Sequence, residues 1–254
     1  MRQCVGTELL AALVYNSGYI IRDTQTAKLI VIDGGANVGK ATQADMLMHR
    51  LVSDGYLVGK IDFPRYSQNT VGHFIRECID GDSDKFANLD PKLVSMAYAV
   101  DRFESKKQIE EWMAEGRIIV FDRYVSSNML HQGAKVADGD DREDFFRWVE
   151  HLEHDIFGMP RPDMTVYLDI PPEDSQKLLE YIEDIGVTVV DPQEKNRLHQ
   201  AKVSKCASYL ANTQNEWVTV QCLADGKLRP REDIHDDVYS AVRRILPPLP
   251  AVTE

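Results

Sequence analysis

One stretch limits what this chain can fold into more than any other: Lys28 to Met46, KLIVIDGGANVGKATQADM. An apolar, β-branched run, Leu29-Ile30-Val31-Ile32, leads into the turn Gly34-Gly35-Ala36-Asn37-Val38-Gly39, and Lys40 then opens a segment with helical spacing. Strand, glycine loop, lysine and helix is the layout of a phosphate-binding P-loop. The glycines let backbone N–H groups turn inward around an anion, and the helix N-terminus adds partial positive charge. Lys40 is placed to reach the outer phosphates. The motif has Ser or Thr directly after its lysine, whereas this chain has Ala41 and only then Thr42.

Apolar runs alternate with helical segments through the rest of the chain. The pattern predicts a helix over about 39–54, a strand over 57–62, a helix over about 71–79 and a polar loop over 81–90. A long helical region, 91–116, with room for one break, comes next. Ile118-Ile119-Val120-Phe121 is a short, fully apolar run, as a central parallel strand requires. A helix from about 126, an acidic loop over 138–141 and a helix to about 154 precede the strand 164–169. Helices are predicted over 172–181 and 193–213, with a connecting segment over 183–192, then a strand over 217–221 and a final helix over 231–245. The expected fold class is α/β: a P-loop NTPase-like three-layer fold, with a five-stranded parallel sheet flanked by helices and a short lid segment. Ligands in such sheets bind beyond the C-terminal strand ends. Three of those ends carry phosphate-compatible residues: Gly34 to Lys40, Phe63-Pro64-Arg65 and Asp122-Arg123-Tyr124.

Composition narrows the partners. At 254 residues and 43% hydrophobic content the chain suits one sizeable domain. A net charge of −12 argues against non-specific binding to nucleic acid or anionic membrane, so phosphate binding needs a local basic pocket. Cys4, Cys78, Cys206 and Cys222 form no CxxC pair, which disfavours zinc and redox motifs and makes reduced thiols the default. No run of 18 apolar residues appears. Residues 1–27 contain the short apolar run Leu9 to Tyr15 and are read as an N-terminal extension packed on the domain rather than a removed leader. Residues 28–246 form the expected domain, and 247–254, with Pro247, Pro248 and Pro250, a flexible tail.

Taken in order, GGANVGKATQ, FPRY, AYAVDR, FDRYVSSNMLHQGAK and PRPDMTVYLDIPPE resemble the thymidylate kinases (dTMP kinases), a family of nucleoside monophosphate kinases. The resemblance runs from about Lys28 to Ile245 and implies phosphoryl transfer from ATP to dTMP with Mg2+. It also implies a homodimer formed through apolar helix faces, a cytoplasmic location, and neither nucleic acid nor membrane as partner. Gly34 to Thr42 would hold ATP. Phe63, Arg65, Tyr98, Arg102, Arg123, Ser127, Asn128, His131 and Gln132 would form the dTMP site. In it Phe63 is a wall, Arg65 and Arg123 meet the acceptor phosphate, Tyr98 stacks on thymine, and Arg102 donates to a base carbonyl. Lys40, Asp122 and Arg123 are the catalytic candidates, with Asp122 holding a magnesium water.

The chain departs from the family pattern in three places. Ala41 offers no hydroxyl to magnesium, but is similar to the GKGTQ string of adenylate kinases. Ala36 stands where thymidylate kinases have an acidic residue. The lid, about 183–192, has no basic residue, so Lys195 or Arg197 is the candidate to assist transfer, or catalysis is slow. Two other functions therefore stay open: another nucleoside monophosphate as acceptor, and a catalytically weak nucleotide-binding regulator. The remaining histidines show no metal spacing.

Overall fold

The computed structural model describes residues 26–171, 174 and 196–248. A five-stranded parallel sheet in the order β2-β3-β1-β4-β5 forms its centre. The strands are β1 (Lys28–Gly34), β2 (Val58–Asp62), β3 (Ile118–Asp122), β4 (Met164–Asp169) and β5 (Trp217–Gln221). β1 lies in the middle, and the chain leaves it in one direction for β2 and returns across it to β4. That reversal opens a crevice at the C-terminal end of β1.

Alternation along β1 divides the core into two layers. Leu29 and Val31 point to a cluster with Phe63, Phe121, Tyr124 and Ile109. Ile30 and Ile32 point to the opposite cluster with Leu47, Leu51, Val166 and Val238. Helix α1 (Lys40–Ser53) covers the second face because Lys40, Gln43, Ala44, Leu47 and Leu51 form one buried stripe at helical spacing. Helix α2 (Thr70–Ala87) is followed by α3 (Pro91–Glu104), which starts cleanly. Asp90 accepts from the N–H groups of Lys92 (2.8 Å) and Leu93 (3.4 Å), and Pro91 occupies the first turn. The expected break in the 91–116 region falls at Ser105, before α4 (Lys106–Ala114).

The polar 81–90 stretch is a correction to the sequence reading, because α2 continues through it to Ala87. Asp82 leaves the helical region (φ −154°, ψ 82°), and its carboxylate caps the N–H of Lys85 at 2.9 Å, restarting the helix. Only Phe86 and Ala87 anchor this last turn, too little apolar signal to register as a helix. The acidic 138–141 loop is shorter than expected, since α6 (Asp140–Glu150) begins at Asp140. Asp140, Asp141 and Glu143 there suit the positive end of the helix dipole.

Between β3 and α6 the chain forms one short helical stretch: α5 (Val125–Ser127), a π turn at Asn128–Gln132 and a 3₁₀ turn at Gly133–Lys135. A second π turn, His151–Ile156, ends α6. Helix α7 (Arg197–Thr213) precedes β5, and α8 (Arg231–Arg243) ends the domain. A small hairpin, β6 (Leu223–Ala224) and β7 (Lys227–Leu228), was not anticipated. Its turn is Asp225-Gly226, both at positive φ, the dipeptide that two-residue hairpins favour. The helix expected over 172–181 is largely outside the described residues, and the lid over 183–192 wholly so.

Candidate active site

The crevice beyond β1 is lined first by the glycine loop. Asn37 (φ 54°) and Gly39 (φ 87°) both take left-handed backbone, which turns the loop back before α1 begins. Gly34 has no room for a side chain, since a Cβ would lie 2.8 Å from the Leu168 carbonyl oxygen. Lys40 is buried, and its ammonium donates to the Gly35 carbonyl at 2.5 Å, folding back over its own loop. The Ala36 N–H donates to Gln200 Oε1 of α7 at 3.1 Å, so the segment after the lid touches the loop directly. The Ala36 methyl and Val38 are buried, whereas Ala41 and Thr42 are exposed on the first turn of α1.

Asp33, the last carboxylate of β1, ties this loop to α5. Its Oδ1 accepts from the Gly34 N–H (2.8 Å), and its Oδ2 accepts from Ser126 Oγ (2.6 Å) and Ser127 Oγ (2.7 Å). Ser127 therefore meets Asp33 with the hydroxyl that the sequence assigned to the acceptor site.

At the end of β2, Phe63 is 4% exposed and lies against Phe121 and Tyr124, with centroids 6.1 and 6.2 Å away. The Phe63–Pro64 peptide is cis. Arg65 is anchored twice by α3 and α4. Its N–H donates to Asp101 Oδ2 at 3.1 Å, and its Nη1 to Ser105 Oγ (3.2 Å) and Gln108 Oε1 (2.8 Å). Asn69 Nδ2 also donates to Asp101 Oδ1 (2.9 Å). Gly72 permits this arrangement, since a Cβ there would stand 2.3 Å from the Arg65 carbonyl oxygen.

At the end of β3, Asp122 is paired in register with Ile32 of β1 and Asp62 of β2. Its Oδ1 is buried without a hydrogen-bond partner. Burial pushes its pKa above the usual carboxylate range, against the opposing pull of Arg123 and Lys40. Arg123 has φ 65°, a left-handed conformation that a bulky residue rarely adopts. Its N–H donates to the Ile32 carbonyl at 3.1 Å, and the next ring, Tyr124, stacks on Phe121 at 4.4 Å. The strained backbone is thus held from both sides.

Arg123 Nη1 lies 3.2 Å from His131 Nε2. An arginine can only donate, so Nε2 is the acceptor and His131 is neutral. Burial, then Arg123, His199, Lys40 and Lys135, lower its pKa well below the ordinary histidine value. His131 faces His199 of α7, ring centroids 6.1 Å apart. Burial first, then Lys135 and Lys202, push His199 down to about 4, and its Nε2 is buried without a partner.

The other expected acceptor residues lie on a second wall. Tyr98 is half-buried, with its ring 6.3 Å from Phe86. Arg102 is 2% exposed and forms a double hydrogen bond with Glu153, Nε to Oε2 at 2.5 Å and Nη2 to Oε1 at 2.7 Å. Asn128 Nδ2 donates to the same Glu153 Oε1 (2.9 Å) and to the Ser95 carbonyl (3.1 Å). Gln132 Oε1 accepts from Lys135 Nζ at 2.7 Å. Lys195 lies outside the described residues, and only the backbone of Arg197, at the start of α7, is described.

Sequence reasoning missed Asp33, Asp101, Glu153, His199 and Gln200. Asp33 had a signal, as a lone carboxylate at the end of an apolar strand. Glu153 had none, because it sits in the charged run HLEHD.

This layout defines the class first: a P-loop phosphotransferase, with a phosphate loop and an arginine-bearing wall facing one crevice at a parallel sheet's switch point. The profile of the family "Thymidylate kinase" matches residues 32–235, which takes in every strand end described above. A thymidylate kinase of Plasmodium falciparum is 22% identical over 223 residues, covering 88% of this chain and 93% of that protein. A probable thymidylate kinase of Thermococcus onnurineus is 29% identical over 223 residues, covering 85% and 98%. The solved thymidylate kinase of Candida albicans has the same fold, with a TM-score of 0.63 at 21% identity over 86% of this chain and 92% of that one. The chain belongs to the thymidylate kinase family.

The buried neutral histidines give stability a pH dependence of known sign. Between the unfolded histidine pKa and the folded value of about 4 for His199, the unfolded chain binds a proton that the folded chain refuses. Stability is lost as pH falls through that window, by up to about 1.4 kcal/mol per pH unit for each such group. Asp101 and Asp122, with raised pKa, act in the opposite direction, so the informative quantity is a difference. Melting curves from pH 7 to 5 are expected to fall less steeply for His199→Gln than for the natural chain. Parallel curves would contradict the assignment.

Proposed function

We propose that this protein transfers the γ-phosphoryl group of ATP to dTMP, yielding dTDP and ADP for dTTP synthesis, and that residues 28–246 form the kinase domain. The observation that carries the reading is Arg123: a guanidinium on strained backbone at the switch point, oriented by a neutral histidine and adjacent to the phosphate loop. Such strain persists where the surrounding structure over-determines it, typically at working sites.

The ATP phosphates lie along Gly34 to Thr42, on backbone N–H groups other than those of Gly34 and Ala36, which Asp33 and Gln200 take, and Lys40 moves from the Gly35 carbonyl to the outer phosphates. Arg65 and Arg123 hold the dTMP phosphate, a match of guanidinium forks to phosphate oxygens. Tyr98 stacks on the base while Arg102 and Asn128 read its edge, and Phe63 closes one side. Gln132 borders this wall through Lys135. His131 orients Arg123 rather than removing a proton; transfer through a loose transition state needs positioning and charge more than a base.

Asp122 suits magnesium, because its buried, unpartnered Oδ1 is an acceptor in need of a donor or cation. Bound there through water, the ion would neutralise phosphate charge. Lys195 or Arg197 supplies the lid's cation, and closure excludes water so that transfer outruns hydrolysis. The charge of −12 suits small nucleotides rather than nucleic acid or anionic membrane as partners. Free thiols at Cys78, Cys206 and Cys222 suit a reducing, cytoplasmic setting.

The test is a coupled assay for ADP. ATP, magnesium and dTMP should give turnover that Lys40→Ala lowers by about two to three orders of magnitude. No ADP from the natural chain, or equal rates for the variant, would sink the kinase reading. Faster turnover of dCMP or dGMP than dTMP would reassign the acceptor.

Helix α3 also leaves Leu93, Met96 and Phe103 exposed at helical spacing. We infer that this face closes a homodimer, with identical patches meeting about a twofold axis. Sedimentation should give a dimer that Phe103→Glu dissociates; a monomeric natural chain at micromolar concentration would refute it.

A further inference from the structure

Glu153 lies in the π turn after α6, away from the phosphate loop, and is 0% exposed. Its carboxylate takes hydrogen bonds from two residues of the acceptor wall. Arg102 approaches through Nε and Nη2, and Asn128 through Nδ2. A buried ion pair is a weak source of stability, since well-packed apolar residues often serve as well, but it can fix a unique arrangement. Here it fixes two side chains at once.

We propose that Glu153 is a positioning residue that sets base choice in the acceptor pocket. The proposal rests on the kinase reading above and adds a residue that acts through Arg102 and Asn128. With Nε and Nη2 turned to the carboxylate, the guanidinium plane is locked and Nη1 is the terminal nitrogen left over. Asn128 is locked as well. Its Nδ2 donates to two acceptors, Glu153 Oε1 and the Ser95 carbonyl, and a flipped amide would set its oxygen against both. Oδ1 is therefore the amide's remaining face, and it can only accept.

Tyr98 and Arg102 are four apart on α3, so the stacking ring and the arginine share one side of that helix, and Asn128 is tied to the same helix through the Ser95 carbonyl. The wall then offers one donor and one acceptor. A 4-oxopyrimidine edge answers with O4 as acceptor and N3–H as donor. Cytosine reverses both, placing its amino group against Arg102 and its N3 lone pair against the Asn128 oxygen. Sites whose polar groups are left unpaired by the wrong ligand discriminate strongly.

Calorimetric titration of the purified chain with dTMP and dCMP, with and without turnover assays, tests this. The natural chain is expected to prefer dTMP by on the order of a hundredfold. Glu153→Gln, which keeps shape but loses the charge that orients both donors, should bring the preference below about tenfold, with KM for dTMP rising more than kcat falls. Glu153→Asp keeps the ion pair for folding but withdraws the carboxylate by one methylene, and should also lose preference. If Arg102 is the route, adding Glu153→Gln to Arg102→Gln should lower the preference no further. A natural chain without preference for dTMP would overturn the base-reading model itself. A natural chain with preference, retained in full by either folded Glu153 variant, would overturn the role of Glu153 alone.

Discussion

The Asp33 carboxylate sits out of solvent where β1 becomes the glycine loop, and it accepts one backbone N–H and two hydroxyls. Burying a carboxylate costs several kcal/mol unless its oxygens are satisfied, and charge-assisted bonds of this kind offset that cost. The consequence is geometric. The N–H belongs to the first residue of the phosphate loop, and the hydroxyls belong to the helical stretch that continues into Asn128, His131 and Gln132. Donor loop and acceptor wall are therefore held in one register by a single side chain. The rest of the site builds outward from it: Arg123 is pinned to Ile32 beside it, His131 orients Arg123, and Gln200 meets the loop from α7.

Much of this architecture was legible in the sequence because it follows from periodicity. The apolar runs at Ile30, Ile119, Val166 and Val218 each became a parallel strand, and the polar residues placed after β1, β2 and β3 do converge on one end of the sheet. Local composition failed where structure depends on a single capping contact. The 81–87 turn looks like a loop until Asp82 is seen capping Lys85. The partners of the site were illegible for another reason. Asp101, Glu153 and Gln200 reach their targets across sequence separations of 36, 51 and 164 residues. No local pattern records such distances.

The departures from the family pattern look different once these contacts are known. Ala41 is an exposed residue of the first turn of α1, so its methyl is not part of the buried core. At Ala36 the methyl is buried and the N–H is taken by Gln200, which couples the loop to the segment following the lid rather than to a charge of its own. The neutral pair His131 and His199 stands between Arg123 and that same segment. Among the cations of the described site, Lys40 donates to the Gly35 carbonyl, Arg65 to Ser105 and Gln108, and Arg123 to His131.

The claim that one carboxylate holds donor and acceptor sites in register is tested most directly by Asp33→Asn. The substitution is isosteric, but its amide cannot satisfy three donors, since turning the oxygen to the serines sets its NH₂ against the Gly34 N–H. Steady-state kinetics with ATP and dTMP varied in turn should show kcat reduced by about ten- to a hundredfold in a chain that remains folded, with both nucleotides affected. An Asp33→Asn enzyme that keeps natural kcat and both KM values would contradict the account.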